Sequence, residues 1–276
     1  MRSIHEGFHD RKGYLERLAK PMQEKLRIAE HIPPHASLLL DVGCADGAVT
    51  RELSHLFPTT TVHGIDLDAS FIEQAHTSSR DAVHPPRFEC VYLRDMLARP
   101  ERFDAIMFTS VLHEFFSYGE GTSSVVKAIA DAFELLHPGG KIIVRDMIFS
   151  EKAKLMPAPS IVSKIRAAPD MQSRIADFER THGAMETLHA ANHFLLKYFY
   201  SDNWMRECAE EYAPVTLEQY RSLFMLLGAS IEHEETYLIP FLRGKWRTDF
   251  KLSDEELSAL HSTTIFSVQK PTGQGV

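Results

Sequence analysis

The chain has 276 residues, 44% of them hydrophobic and 25% charged, enough to bury the core of one large domain or of a domain with an added lobe. With 30 Lys and Arg against 38 Asp and Glu, its formal net charge of −8 argues against the basic face that binders of nucleic acid present to phosphate. No apolar run approaches the roughly 18 to 20 residues of a membrane span, Met1 to Lys20 carries charges where a signal peptide has its apolar core, and Cys44, Cys90 and Cys208 are too scattered for a disulfide framework or a zinc site. A cytoplasmic protein with reduced thiols, no membrane association, no nucleic-acid partner and no metal is expected.

In chain order, residues 1–36 read as an N-terminal helical cap, with Tyr14, Leu15, Leu18, Leu26, Ile28 and Ile32 at helical spacing and Pro21 opening a second helix. From Ser37 to Met147, short apolar runs alternate with helical stretches. Strands are expected at Leu38 to Val42, Thr61 to Ile65, Phe88 to Tyr92, Ala105 to Thr109 and Lys141 to Arg145. Helices are expected near Gly47 to Leu56, Ser70 to Ser78 and Ser123 to Leu136, the last stopped by His137-Pro138-Gly139-Gly140. Residues 150–212 break the pattern with prolines followed by His-, Met- and aromatic-rich helical stretches, and read as an insertion after the fifth strand. A helix from Thr216 to Leu227 and strands at Ser230 to Leu238 and Thr263 to Val268 resume the alternation. The expected fold is α/β, a doubly wound, mostly parallel sheet of seven strands. Its domain comprises residues 37–149 and 213–276.

The strongest local signal is Leu38-Leu39-Leu40-Asp41-Val42-Gly43-Cys44-Ala45-Asp46-Gly47, a strand that turns through small residues into a helix. Such a turn lets a ligand approach the backbone and the unpaired N–H groups of the helix. Asp66 ends the next strand about 20 positions later, where a carboxylate can accept both hydroxyls of an adenosine ribose. Its alternative role, capping the following helix, suits Asp68 or Ser70 better. Asp95, in Tyr92-Leu93-Arg94-Asp95-Met96-Leu97, either meets an adenine edge or sits in a solvated loop.

Asp41-x-Gly43-x-Ala45-x-Gly47, Gly64-Ile65-Asp66, Phe103-Asp104-Ala105-Ile106-Met107-Phe108 and Leu136-His137-Pro138-Gly139-Gly140-Lys141 together resemble, in order and spacing, the motifs of class I S-adenosylmethionine-dependent methyltransferases. The resemblance covers most of Ser37 to Asp146 and returns from Thr216 to Lys270, with Ala45 where glycine is common. It implies S-adenosylmethionine as cofactor. Asp41, Gly43 and Ala45 would face its methionine part, with Cys44 and Gly47 of the same turn also binding the cofactor; Asp66 would face its ribose, and Leu67, Asp95 and Met96 its adenine. Thr109, Ser110 and Val111 would lie beside the sulfonium, and Tyr14 either closes over the carboxylate or is a buried core tyrosine of the cap.

Among rivals, a nicotinamide-dependent dehydrogenase lacks its phosphate cradle here, and Asp41 beside Gly43 favours a cationic ligand over a pyrophosphate. An RNA methyltransferase and a catalytically inactive cofactor-binding module remain alternatives to methylation of a small molecule. For a hydroxyl or amine acceptor, His113 and Glu114 follow the fourth strand and are the expected catalytic pair; packing of His113 against the cap is the structural alternative. His193, Phe194, Tyr198, Tyr200 and Trp204 in the insertion suggest a pocket wall for an apolar or aromatic acceptor. The same aromatics would serve equally as core or as a homodimer contact.

Overall fold

Each of the seven expected strands joins one sheet in the computed structural model, which describes residues 22–273. Tyr14 and most of the expected cap lie outside the described residues. The strands are β1 (Leu38–Val42), β2 (Thr61–Asp66), β3 (Arg87–Cys90), β4 (Phe103–Thr109), β5 (Leu136–Asp146), β6 (Ser230–Tyr237) and β7 (Thr263–Gln269), in the order β3-β2-β1-β4-β5-β7-β6. All pairs from β3 to β5 are parallel, whereas β7 runs antiparallel to both β5 and β6. Successive side chains of a strand alternate faces. Thus Leu39, Val62, Ala105 and Met107 enter one apolar layer with Ile28 and Leu53, while Leu40, Ile106, Phe108 and Val144 enter the opposite layer with Val125 and Phe224.

The chain reverses direction across the sheet between β1 and β4, the place where such sheets open a crevice at the carboxyl ends of their strands. Helices α2 (Ala48–Leu56) and α3 (Ala69–Ser78) leave β1 and β2 beside that crevice, preceded by the short α1 (Met22–Lys25). Asp68 caps α3 by accepting from the N–H groups of Ser70 and Phe71, which leaves Asp66 out of that role. Helix α4 (Leu112–Tyr118) starts three residues after β4, and α5 (Thr122–Leu135) runs straight into β5. β5 therefore begins five residues earlier than the sequence suggests. Leu136 already pairs with Phe103, and the ladder shifts register before Ala105 pairs with Lys141.

The insertion forms α6 (Glu151–Leu155), α7 (Pro159–Arg166), α8 (Gln172–His182), α9 (Leu188–Lys197) and α10 (Trp204–Ala209). Beyond it, α11 (Leu217–Leu226) begins with a capping box of Thr216 and Gln219, and two helices not foreseen from sequence, α12 (Pro240–Phe250) and α13 (Asp254–Ser258), connect β6 to β7. Ile239, Leu242, Trp246, Phe250, Leu257 and Leu260 pack with Phe149, Ile165, Phe178, Phe194 and Tyr198 in a third core. Residues 239–260, counted with the sheet domain in the sequence reading, thus complete the helical lobe. No helix among the described residues is long and apolar enough to cross a membrane.

Candidate functional site

The turn after β1 holds its shape through three backbone N–H groups: Gly43 and Cys44 both donate to the Ile65 carbonyl (2.8 and 3.0 Å), and Ala45 donates to Asp66 Oδ2 (2.8 Å). Gly43 has φ +71°, and a Cβ there would stand 2.3 Å from Val111 Cγ2, so the turn and the start of α4 approach as closely as only glycine allows. Asp41 is buried and accepts a hydrogen bond from Thr50 Oγ1 at 2.7 Å. Burial pushes its carboxyl up to about 6, against the Thr50 hydrogen bond and the charge of Lys25. Lys25 is buried in turn and lowered to about 8 by burial and Arg145, while Asp41 and Asp46 act in the other direction. Asp66 Oδ1 accepts from Asp68 N at 2.9 Å. Its carboxyl is also raised by burial, against the N–H groups of Asp68 and Ala45.

These groups line a cavity over the carboxyl ends of β1, β2 and β4, walled by Thr109, Ser110, Val111, Glu114 and Phe71. Ser110 holds φ +57°, a region that costs a non-glycine residue energy and concentrates at functional sites. Arg145 fixes it from two sides, its carbonyl accepting from Ser110 N (2.7 Å) and its Nη1 donating to Ser110 Oγ (3.1 Å).

A second cavity adjoins the first and shares Lys25, Ser110 and Glu114 with it. Its polar side is built on Asp146, at the end of β5, which accepts from the N–H groups of Leu112 (2.8 Å) and His113 (3.3 Å) and lies 3.0 Å from His113 Nδ1. A carboxylate at a helix N-terminus meets unpaired donors, so the sheet edge fixes both α4 and the His113 ring. His113 Nε2 is then left on the side of Glu210, 3.9 Å from Oε2. Burial alone would lower the His113 imidazole. The charge and hydrogen bond of Asp146, with Glu114 and Glu210 beyond it, instead raise it to about 9. Glu114 is pushed up by burial and by Glu210, partly offset by His113 and Arg206. Glu207 is pushed up by burial and by Glu210, and the Tyr212 hydroxyl donates to it. Arg206 Nη2 lies 3.1 Å from Glu210 Oε1 and 3.7 Å from Glu114 Oε1. Opposite this charged side stand Leu196, Phe199, Tyr200, Ile239 and Leu242.

The site gathers most, though not all, of the residues singled out from sequence. Asp41, Gly43, Cys44, Ala45, Asp66, Thr109, Ser110 and Glu114 line the first cavity; His113 and Tyr200 line the second. Gly47 stands behind the turn, where a Cβ would meet Phe88 at 2.5 Å. Leu67 points to solvent, and Asp68 and Phe71 occupy the wall assigned to it. Met96 is buried in the sheet core and Asp95 is exposed, so neither reaches the cavity, because the 93–98 turn is spent on packing under α5. His193 lies behind the second cavity, its Nε2 accepting from Tyr212 N at 3.2 Å. Phe194, Tyr198 and Trp204 belong to the core of the lobe: α9 is buried along all of 191–197, Tyr198 donates to Asp249, and Trp204 Nε1 donates to Asp177 at 3.0 Å. Lys25, Arg145, Asp146, Arg206, Glu207 and Glu210 are contributors that no motif marked. Asp146 alone had a legible clue, its place at the end of a strand.

Residues 40–142 match a family model described as a methyltransferase domain. A segment of 118 residues is 28% identical to an uncharacterized protein of a Synechococcus sp. strain; it spans 41% of this chain and about a quarter (25%) of that relative. Among solved structures, an O-methyltransferase family protein from Burkholderia thailandensis superposes with a TM-score of 0.56 at 14% identity, covering 96% of this chain and 60% of its own. The plantazolicin methyltransferase BpumL, in complex with a pentazolic desmethylPZN analog and SAH, gives 0.53 at 14% identity over 95% of this chain and 87% of its own. The N-methyltransferase NodS of Bradyrhizobium japonicum WM9, in complex with S-adenosyl-l-homocysteine, gives 0.51 at 14% identity over 94% of this chain and 97% of its own.

Proposed function

We propose that this chain, which carries a methyltransferase domain over residues 40–142 within a class I methyltransferase fold, moves the methyl group of S-adenosylmethionine to a small-molecule acceptor. The observation that supports the reading most directly is the junction of the two cavities at Ser110 and Glu114. A donor seated on the turn and an acceptor seated beside His113 would meet there.

The first cavity fits an adenosylated, cationic ligand. Asp66 Oδ2 accepts from Ala45 N and Oδ1 from Asp68 N, and a carboxylate has about four acceptor positions, which leaves room for a ribose hydroxyl. Phe71 supplies apolar surface beside it, and Asp41 and Asp46 supply negative charge toward the turn. S-adenosylmethionine brings a methyl already activated by its positive sulfur, so alignment and exclusion of water are what remain for the protein.

In the second cavity, Asp146 holds His113 by Nδ1, and Nε2 would take the proton of an acceptor hydroxyl or amine. The imidazolium must first lose its own proton. Glu114, adjoining both cavities, is the second polar group toward the acceptor, and the aliphatic and aromatic wall suits an apolar or aromatic molecule. Residues 150–212 would act as a lid over the junction, and a cytoplasmic location fits three cysteines without a disulfide.

Incubation of the purified chain with methyl-labelled S-adenosylmethionine and a panel of phenols and arylamines tests the reading. Label should pass to at least one acceptor and fall sharply in His113→Ala. A protein that binds neither S-adenosylmethionine nor S-adenosylhomocysteine would sink it.

A further inference from the structure

His182 at the end of α8, His193 in the middle of α9 and Glu211 just after α10 come from three separate parts of the helical lobe, and their ligand atoms all lie within 4.8 Å of one another. None of the three lines either cavity. His182 Nε2 is 2.6 Å from the Cys208 carbonyl, which can only accept, so that nitrogen carries the hydrogen. In the neutral ring Nδ1 is then a lone pair, and it faces Glu211 Oε2 at 3.5 Å. His193 Nε2 accepts from Tyr212 N at 3.2 Å and lies 3.6 Å from Glu211 Oε1, so its one lone pair would exchange that N–H for a metal. Two imidazole nitrogens and a carboxylate from three separate segments therefore converge, with Glu211 within 3.6 Å of both rings, a donor set suited to a cation.

We propose that His182, His193 and Glu211 bind a divalent transition-metal ion, zinc being the best match to two imidazoles and one carboxylate. Ligands at about 2.0 to 2.1 Å from a tetrahedral zinc stand about 3.4 Å apart, close to the two separations observed. The hydrogen bond from His182 Nε2 to Cys208 is the outer contact that fixes the tautomer of a metal-bound histidine. A proton on His182 would resolve only its own side of the cluster.

Lys197 is the counterargument, and its geometry limits its weight. Its Nζ lies 3.5 Å from Nε2 of His182, the nitrogen turned away from Glu211, and donates to the Glu210 carbonyl. His189, with a buried Nε2 lacking a hydrogen-bond partner and a ring 6.0 Å from that of His193, is a further imidazole beside the cluster. The ion would tie the 210–212 segment to α8 and α9, and so hold Glu210 and Tyr212 in the wall of the second cavity. Its role is positioning, and the proposal stands whether or not methyl transfer occurs.

The test strips the full chain with a chelator and titrates it with Co2+ and then Zn2+. One equivalent should bind, with the visible absorption of tetrahedral cobalt and a rise in Tm that zinc retains. Glu211→Gln, nearly isosteric, should weaken binding at least tenfold, whereas Glu114→Gln should leave it unchanged. No stoichiometric binding by the wild-type chain overturns the proposal. So does loss of binding in Glu114→Gln with retention in Glu211→Gln, which would place the ion at His113, Glu114 and Glu210 instead.

Discussion

Replacing Asp146 with Asn keeps the shape of a side chain that is 2% exposed and removes its charge from the His113 ring. Asp146 accepts from three backbone N–H groups as well, including Met147 at 2.9 Å, so the amide must also turn its NH2 toward donors. That second penalty is independent of pH, whereas the His113 contribution is not. The folded imidazole titrates near 9 against an ordinary 6.5, a difference corresponding to roughly 3 kcal/mol of stabilisation by its partners. Because the folded value is the higher one, this stabilisation is complete below about pH 6.5 and disappears as pH rises through about 9. The stability gap between wild type and Asp146→Asn should therefore be larger near pH 6 than near pH 10, by up to roughly 3 kcal/mol since Glu114 and Glu210 supply part of the shift, measured by urea unfolding at stepped pH. With a suitable acceptor, kcat/KM of the wild type should climb toward about pH 9, and the limb should move to lower pH in the variant. A gap that stays constant across that range would refute the imidazolium–carboxylate pair and, with it, the assignment of His113 as the base.

Gly43→Ala forces a Cβ against Val111 at a φ of +71°, and should cost on the order of 1 to 3 kcal/mol and lower Tm; a variant as stable as wild type would mean the turn is looser than described. Asp66→Ala should weaken binding of S-adenosylhomocysteine by roughly 1.5 to 3 kcal/mol in calorimetry, and an unchanged affinity would move the ribose elsewhere. If residues 150–212 act as a lid, hydrogen exchange around Tyr200 and Glu207 should slow when S-adenosylhomocysteine binds. Exchange that is identical with and without ligand would leave these residues to a dimer contact.

The sheet was legible because its signals are local. Strands β1, β2 and β4 are apolar runs set off by turn residues, and Leu39 and Leu40 go to opposite faces as the period of two requires. The turn at Asp41 to Gly47 and the carboxylate of Asp66 were legible for the same reason. The second cavity was not, since its charged side joins Lys25, Arg145, Glu207 and Glu210, backed by Asp146 and Arg206, from distant parts of the chain. The aromatic stretch of α9 misled in a definable way: a helix buried on every side carries the same residues as one lining a pocket, and only Leu196 near its end, with Phe199 and Tyr200 beyond it, faces the cavity. Helices α12 and α13 escaped notice because Gly244 and the charges of 243–255 dilute the helical pattern, although Trp246 and Phe250 are buried.

A crystal structure with S-adenosylhomocysteine bound tests the central claim most directly. The ribose should lie on Asp66, and the sulfur should sit at the wall formed by Ser110 and Glu114, facing His113 across the junction of the two cavities. A ligand seated elsewhere, or with its sulfur turned away from the second cavity, would contradict the account.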